Sequence, residues 1–88
     1  MKILIINHAQ LEIVRRQLSS EAVINVVQNP QQVIEVEKGR KVYQNKYYAI
    51  DNDKEMLLRV ICEESPSQIL VITAYRTAKI DKYWVKEG

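Results

Sequence analysis

Eight residues of this 88-residue chain have side chains suited to holding or cleaving an anionic substrate: His8, Arg15, Arg40, Arg59, Tyr75, Arg76, Lys79 and Tyr83. Arg59 and Arg76 each interrupt an otherwise apolar run, Leu57-Leu58-Arg59-Val60-Ile61 and Ile69-Leu70-Val71-Ile72 onward to Arg76. A guanidinium with few competing carboxylates suits a phosphate, because its fixed fork of N–H groups matches two oxygens at once. His8 lies where a helix begins and could act as a general base, while Tyr75, Tyr83 and Trp84 could stack on bases. Each residue also has a plainer reading. A strand arginine commonly pairs with a carboxylate such as Glu63, Glu64 or Asp81, or reaches solvent along its stem. A histidine at a helix start is more often a surface or cap residue, and the aromatics more often pack.

Other chemistries lack their residues. The sequence has no phosphate-binding glycine loop, no nucleophile elbow and no His or Cys pair at metal spacing. Asp51-Asn52-Asp53 with Glu55 lacks the glycine and the distal glutamate of a calcium loop, so it reads as an ordinary turn. No metal and no cofactor is expected.

The elements that must position these residues follow from periodicity. Residues 2–6 read as a strand. Asn7 is a candidate N-cap for a helix from His8 to about Leu18, with Leu11, Val14 and Leu18 on one face and Arg15 bordering it. Ser19-Ser20-Glu21 restarts a helix that buries Val23, Ile24 and Val27 and ends at Asn29-Pro30, giving a helical hairpin. The period then changes to alternation. Ile34 and Val36 lead into a turn at Glu37-Lys38-Gly39-Arg40. Strands follow at about Lys41–Ile50, Met56–Glu63 and Gln68–Arg76, separated by turns at Asp51–Lys54 and Ser65–Ser67. The expected fold class is α+β: a short N-terminal strand, a two-helix hairpin, then a four-stranded antiparallel meander. The last two strands are apolar on both faces, so a second layer must cover the sheet. Its candidates are the tail, with Ile80, Tyr83, Trp84 and Val85, or a partner protein.

Size and composition limit the rest. Residues 1–88 have room for one domain, and 47% hydrophobic residues with two glycines and two prolines suit a packed core. The lone Cys62 reads as a small buried hydrophobe, which favours a reducing compartment. The opening Ile3-Leu4-Ile5-Ile6 is too short for a signal peptide, and no run is long enough to cross a membrane, so a cytoplasmic protein is expected. The net charge is +2. The basic surplus lies from Lys38 onward, at Arg40, Lys41, Lys46, Arg59, Arg76, Lys79, Lys82 and Lys86, which predicts a basic surface on the sheet half.

The stretch Thr73-Ala74-Tyr75-Arg76-Thr77-Ala78-Lys79-Ile80-Asp81-Lys82-Tyr83-Trp84 resembles the end of the bacterial domain-of-unknown-function 4258 family, where Thr, Tyr and Arg close the last strand and a Lys-x-x-x-Tyr-Trp-like tail follows. Asn7-His8-Ala9, Asn29-Pro30, Gly39-Arg40-Lys41-Val42-Tyr43 and Leu58-Arg59-Val60 match its other landmarks in order. Arg16-Gln17-Leu18 stands where the family often has Arg-Gly-Ile, so a different connection between the helices is expected. The family looks like a branch of the RelE-like toxin superfamily, many of whose members are messenger RNA endonucleases paired with an antitoxin.

The resemblance implies a bacterial type II toxin that cleaves mRNA without a metal. Arg59 and Arg76 would hold the phosphate, His8 or Tyr75 would move protons, and Lys79 or Tyr83 would assist, with Arg40 as a further RNA contact; Arg15 joins the RNA-contact candidates from its place beside the helix stripe, not from the resemblance. An antitoxin protein and RNA are the implied partners. The alternative is a non-catalytic module of the same fold that binds protein or nucleic acid. A third reading is a homodimer whose tail packs against a twin. The alternatives differ in geometry: Arg59, Arg76 and His8 meeting in one concavity would favour catalysis, and carboxylate-paired arginines with a distant histidine would favour a structural role.

Overall fold

The computed structural model describes residues 1–37 and 39–86. Five strands and three helices follow in the order β1 (Lys2–Ile5), α1 (Asn7–Arg15), α2 (Ser20–Gln28), β2 (Gln32–Glu37), β3 (Arg40–Ala49), β4 (Lys54–Glu64), β5 (Gln68–Thr77) and α3 (Ile80–Tyr83). The class is α+β as expected, and β2 to β5 form the antiparallel meander. The sheet is larger than expected. β1 pairs in parallel with β5, from Lys2 opposite Gln68 to Ile5 opposite Val71, and completes a mixed sheet in the order β1-β5-β4-β3-β2. Parallel pairing of the first strand with the last leaves no local pattern, because its partners lie at opposite ends of the chain.

The turns form where their residues permit. Gly39 takes φ 78° between β2 and β3, and Asp53 takes φ 50° between β3 and β4, a conformation that Asp tolerates better than most residues. The described part of the first turn excludes Lys38. β2 carries a bulge between Glu35 and Glu37, which disturbs pairing at an outer edge that also bears two acids.

The first helix departs from expectation at both ends. Asn7 is its first helical residue, Ile6 is the N-cap, and no side chain caps it. It stops at Arg15 because Gln17 adopts φ 57°, letting the Leu18 amide reach back to the Ile13 carbonyl at 2.8 Å and the Gln17 amide to Val14 at 3.0 Å. That is a Schellman-type ending, a turn usually served by glycine. Gln17 therefore occupies the left-handed position that glycine usually takes in such endings. Replacing Gln17 with glycine is expected to stabilise the fold by about 0.5–1 kcal/mol in urea titrations, through relief of left-handed strain.

The buried face of α1 is Ala9 and Ile13, not Leu11 and Val14, which are 64% and 75% exposed. Ala9 and Ile13 are four residues apart and so share a face. α1 packs on β5, and the short Ala9 side chain allows a close approach. α2 buries Val23, Val26 and Val27, with Ile24 only half-buried. Together with Tyr43, Leu58, Val60, Cys62, Ile69, Val71 and Ala74 these residues form the core between helices and sheet. Burial pushes the Cys62 thiol up to about 12, so it stays protonated and acts as the small hydrophobe expected.

The opposite face of the sheet carries Val42, Gln44, Lys46, Leu57, Arg59 and Tyr75, as the strand registers require. The tail covers much of it. Tyr83 lies on Arg59 and Trp84 on Lys46. Beneath this layer Leu57 is fully buried and Val42 is 3% exposed. The apolar residues on both faces thus report a second layer supplied by the same chain. Among the described residues no helix is long and apolar enough to cross a membrane.

Candidate anion-binding site

Arg59 sits at the centre of β4 and is only 8% exposed. The register places it between Gln44 of β3 and Tyr75 of β5. Its Nε donates to Gln44 Oε1 at 2.9 Å and its Nη1 to the Tyr75 hydroxyl at 2.6 Å. The guanidinium carbon stands 4.0 Å from the centre of the Tyr83 ring and 5.7 Å from that of Tyr75, and the two rings meet edge to face. No carboxylate pairs with Arg59 among the described residues. The two observed bonds leave three of the five guanidinium N–H groups without an assigned acceptor. A buried cation stabilised by neutral oxygens and aromatic faces retains its positive field.

Glutamine side chains fix this arrangement. Gln44 is fully buried, and its Nε2 donates to Gln32 Oε1 at 2.8 Å and to the Tyr83 carbonyl at 3.2 Å. Gln32 in turn holds the tail backbone at Val85 by donating to its carbonyl and accepting from its amide. A chain of amides therefore runs from Arg59 to the tail. Lys46 is centred 4.1 Å over Trp84, and Lys82 lies 5.2 Å from the Tyr83 ring centre. The Tyr83 phenol is held below its usual pKa, first by the Tyr75 hydroxyl and then by the Lys82 ammonium.

The other nominated residues lie elsewhere. Arg76 belongs to the helix-facing side, beside Leu58, and makes a two-pronged ion pair with Asp51 at 3.1 and 2.7 Å. His8 is on α1, 69% exposed, with Nε2 at 3.5 Å from Glu12 Oε1. Arg40 lies between Glu37 and Glu63 at 3.9 and 3.7 Å. Arg15 is exposed on the last turn of α1, and Lys79 is exposed just before α3. Of the eight residues, the fold thus joins Arg59, Tyr75 and Tyr83 and separates Arg76 and Arg40, which have acidic partners.

A second cluster joins α1 to β5. β1 ends beside Val71, and α1 occupies the β5 edge beyond it. Arg16 donates to the Ala74 carbonyl at 2.7 Å, and the Thr73 hydroxyl donates to Glu12 at 2.6 Å.

The Glu12 carboxyl is held below its ordinary value of 4.5, chiefly by the Thr73 hydroxyl and then by Arg16. A carboxyl depressed in the fold adds stability above its unfolded value, and that stability is lost as pH falls through the folded value. Melting wild type and Thr73→Val between pH 7 and 3 is therefore expected to show a shallower acid loss in the variant.

Neither Gln44 nor Gln32 stood out in the sequence, and Glu12 and Thr73 were not among its candidate site residues. Gln44 opens the polar run Gln44-Asn45-Lys46 and carries no signal of its own; its role appears only once its register with Arg59 is fixed. No curated protein and no solved structure matches this chain. The family model described as domain of unknown function (DUF4258) matches residues 5–76, from the end of β1 nearly to the end of β5, and the chain belongs to that family.

Proposed function

We propose that this protein binds single-stranded RNA, with Arg59 as the anchor for a backbone phosphate and Tyr75, Tyr83 and Trp84 as the aromatic surface beside it. The observation that carries this reading is a guanidinium buried against neutral groups, with spare donors and no acidic partner among the described residues. Phosphate oxygens accept such donors well, and aromatic faces next to a cation suit unpaired bases. Lys46 and Lys82 add positive charge on the same side.

Of the functions the sequence left open, the binding module is the better supported. The second phosphate cation, Arg76, is engaged with Asp51 on the other face, and His8 is exposed on α1.

The second reading is a RelE-like toxin, a cytoplasmic metal-independent endoribonuclease controlled by an antitoxin. The Arg59 guanidinium beside the Tyr75 and Tyr83 side chains favours it. Water would take the proton of a ribose 2′-hydroxyl. The 2′-oxygen would then attack the adjacent phosphorus, Arg59 would stabilise the charged phosphorane, and the departing 5′-oxygen would take a proton from the Tyr75 or Tyr83 hydroxyl.

One experiment separates these readings. A fluorescently labelled unstructured RNA is titrated with wild type and with Arg59→Met at two salt concentrations, and the RNA is then sized on a gel. Saturable, salt-sensitive binding that weakens at least tenfold in the variant supports the RNA site, with intact RNA favouring the module and shortened RNA the nuclease. Equal binding by both proteins removes Arg59 from any RNA site.

A further inference from the structure

A cleft of about 580 Å³ opens on the helix-facing side, between α2 and the neighbouring ends of β3, β4 and β5. Its apolar lining comes from Leu18, Val26 and Leu58, Tyr47 contributes a wall, and Arg76 and Asp51 stand together among its residues. We infer that this cleft binds a small zwitterion with an apolar body, and that its ligand class is the free α-amino acid with an apolar side chain. The inference is independent of the RNA reading, because Arg59 lies on the other face of the sheet.

The argument rests on the Arg76–Asp51 pair. Asp51 uses two of the five guanidinium N–H groups. Each Asp51 oxygen keeps a lone pair. Arg76 is 25% exposed and Asp51 59%, so both remain accessible. An anion alone would meet the Asp51 charge, and a cation alone would meet that of Arg76. A molecule carrying both charges on neighbouring atoms opposes neither: its carboxylate takes the free N–H groups of Arg76, its ammonium takes the free lone pairs of Asp51, and the protein's own ion pair stays closed. The apolar lining then favours a hydrocarbon side chain over a polar one. The volume is within the range of small-molecule sites and accommodates leucine or phenylalanine.

The test is calorimetric titration of the full chain with L-leucine and L-phenylalanine beside three controls. N-acetyl-leucine lacks the ammonium, leucinamide lacks the carboxylate and glycine lacks the side chain. The inference expects saturable binding of leucine or phenylalanine and at least tenfold weaker binding of every control. Ala22 lines the cleft at the exposed start of α2, so Ala22→Phe is expected to fill it and abolish binding with the core intact. Arg76→Gln should lose binding as well, and Arg59→Met should bind like wild type. Absence of leucine and phenylalanine binding at millimolar concentration overturns the inference. So does equal binding of the controls, or an undiminished affinity in a folded Ala22→Phe.

Discussion

Arg59→Met is expected to leave the melting temperature unchanged or higher while weakening RNA binding at least tenfold. The two effects have one origin. Arg59 is 8% exposed and has no acidic partner among the described residues, so the fold bears the desolvation of a guanidinium, an effective penalty of several kcal/mol. Opposing this are its charge-assisted bonds to Gln44 and Tyr75, about 1.5–3 kcal/mol each, and the Tyr83 contact, about 1–2 kcal/mol. These terms are of similar size. Methionine fills the same slender space with an adaptable apolar chain and removes the charge, leaving Gln44 Oε1 as the principal unsatisfied group. A residue retained against so small a net stabilisation is best explained by what it binds. A variant that fails to fold, or melts more than about 10 °C lower, would make Arg59 a structural residue first.

Leu57→Ala is expected to cost about 2–5 kcal/mol, a large part of the stability of a domain this size, and to lower the melting temperature by roughly 10 °C or more. Leu57 is fully buried on the face away from α1 and α2, so the loss would show that the tail and sheet enclose a true second core. The contrast is Leu11→Ala and Val14→Ala. Their spacing suggests a buried face, yet at 64% and 75% exposure both changes should stay within about 0.5 kcal/mol. Chemical denaturation of the three variants measures the difference. Equal losses at all three positions would contradict the burial pattern described.

How far the sequence could be read follows from which signals are local. The change of period after Asn29-Pro30 placed the meander, and Gly39 and the Asp51–Lys54 turn marked its hairpins, because these are properties of a few neighbouring residues. The apolar residues on both sides of Leu57–Ile61 and Ile69–Ile72 correctly demanded a second layer. The parallel β1–β5 pair was not legible, because it depends on edges brought together from the two ends of the chain. The end of α1 was missed for a different reason: Gln17 takes a left-handed conformation that its side chain does not advertise. Arg59, Tyr75 and Tyr83 were nominated by type; the register set Tyr75 beside Arg59, and the tail laid Tyr83 over it. That same register sent Arg76, the next residue after Tyr75, to the opposite face. Alternation alone would have separated them, since adjacent strand residues point to opposite sides.

The central claim is that Arg59 itself meets RNA phosphate, and its side-chain Nε–H signal tests this most directly. Nitrogen-15 NMR of the full chain, with that signal assigned by its loss in Arg59→Met, is followed through a titration with single-stranded RNA. A saturable shift of the Arg59 signal is expected, accompanied by the indole N–H of Trp84. Sodium phosphate, at higher concentration, is expected to move the Arg59 signal in the same direction. An Arg59 signal unmoved at RNA saturation, with shifts confined to Arg15, Arg40 or the Arg76 cleft, would contradict the claim.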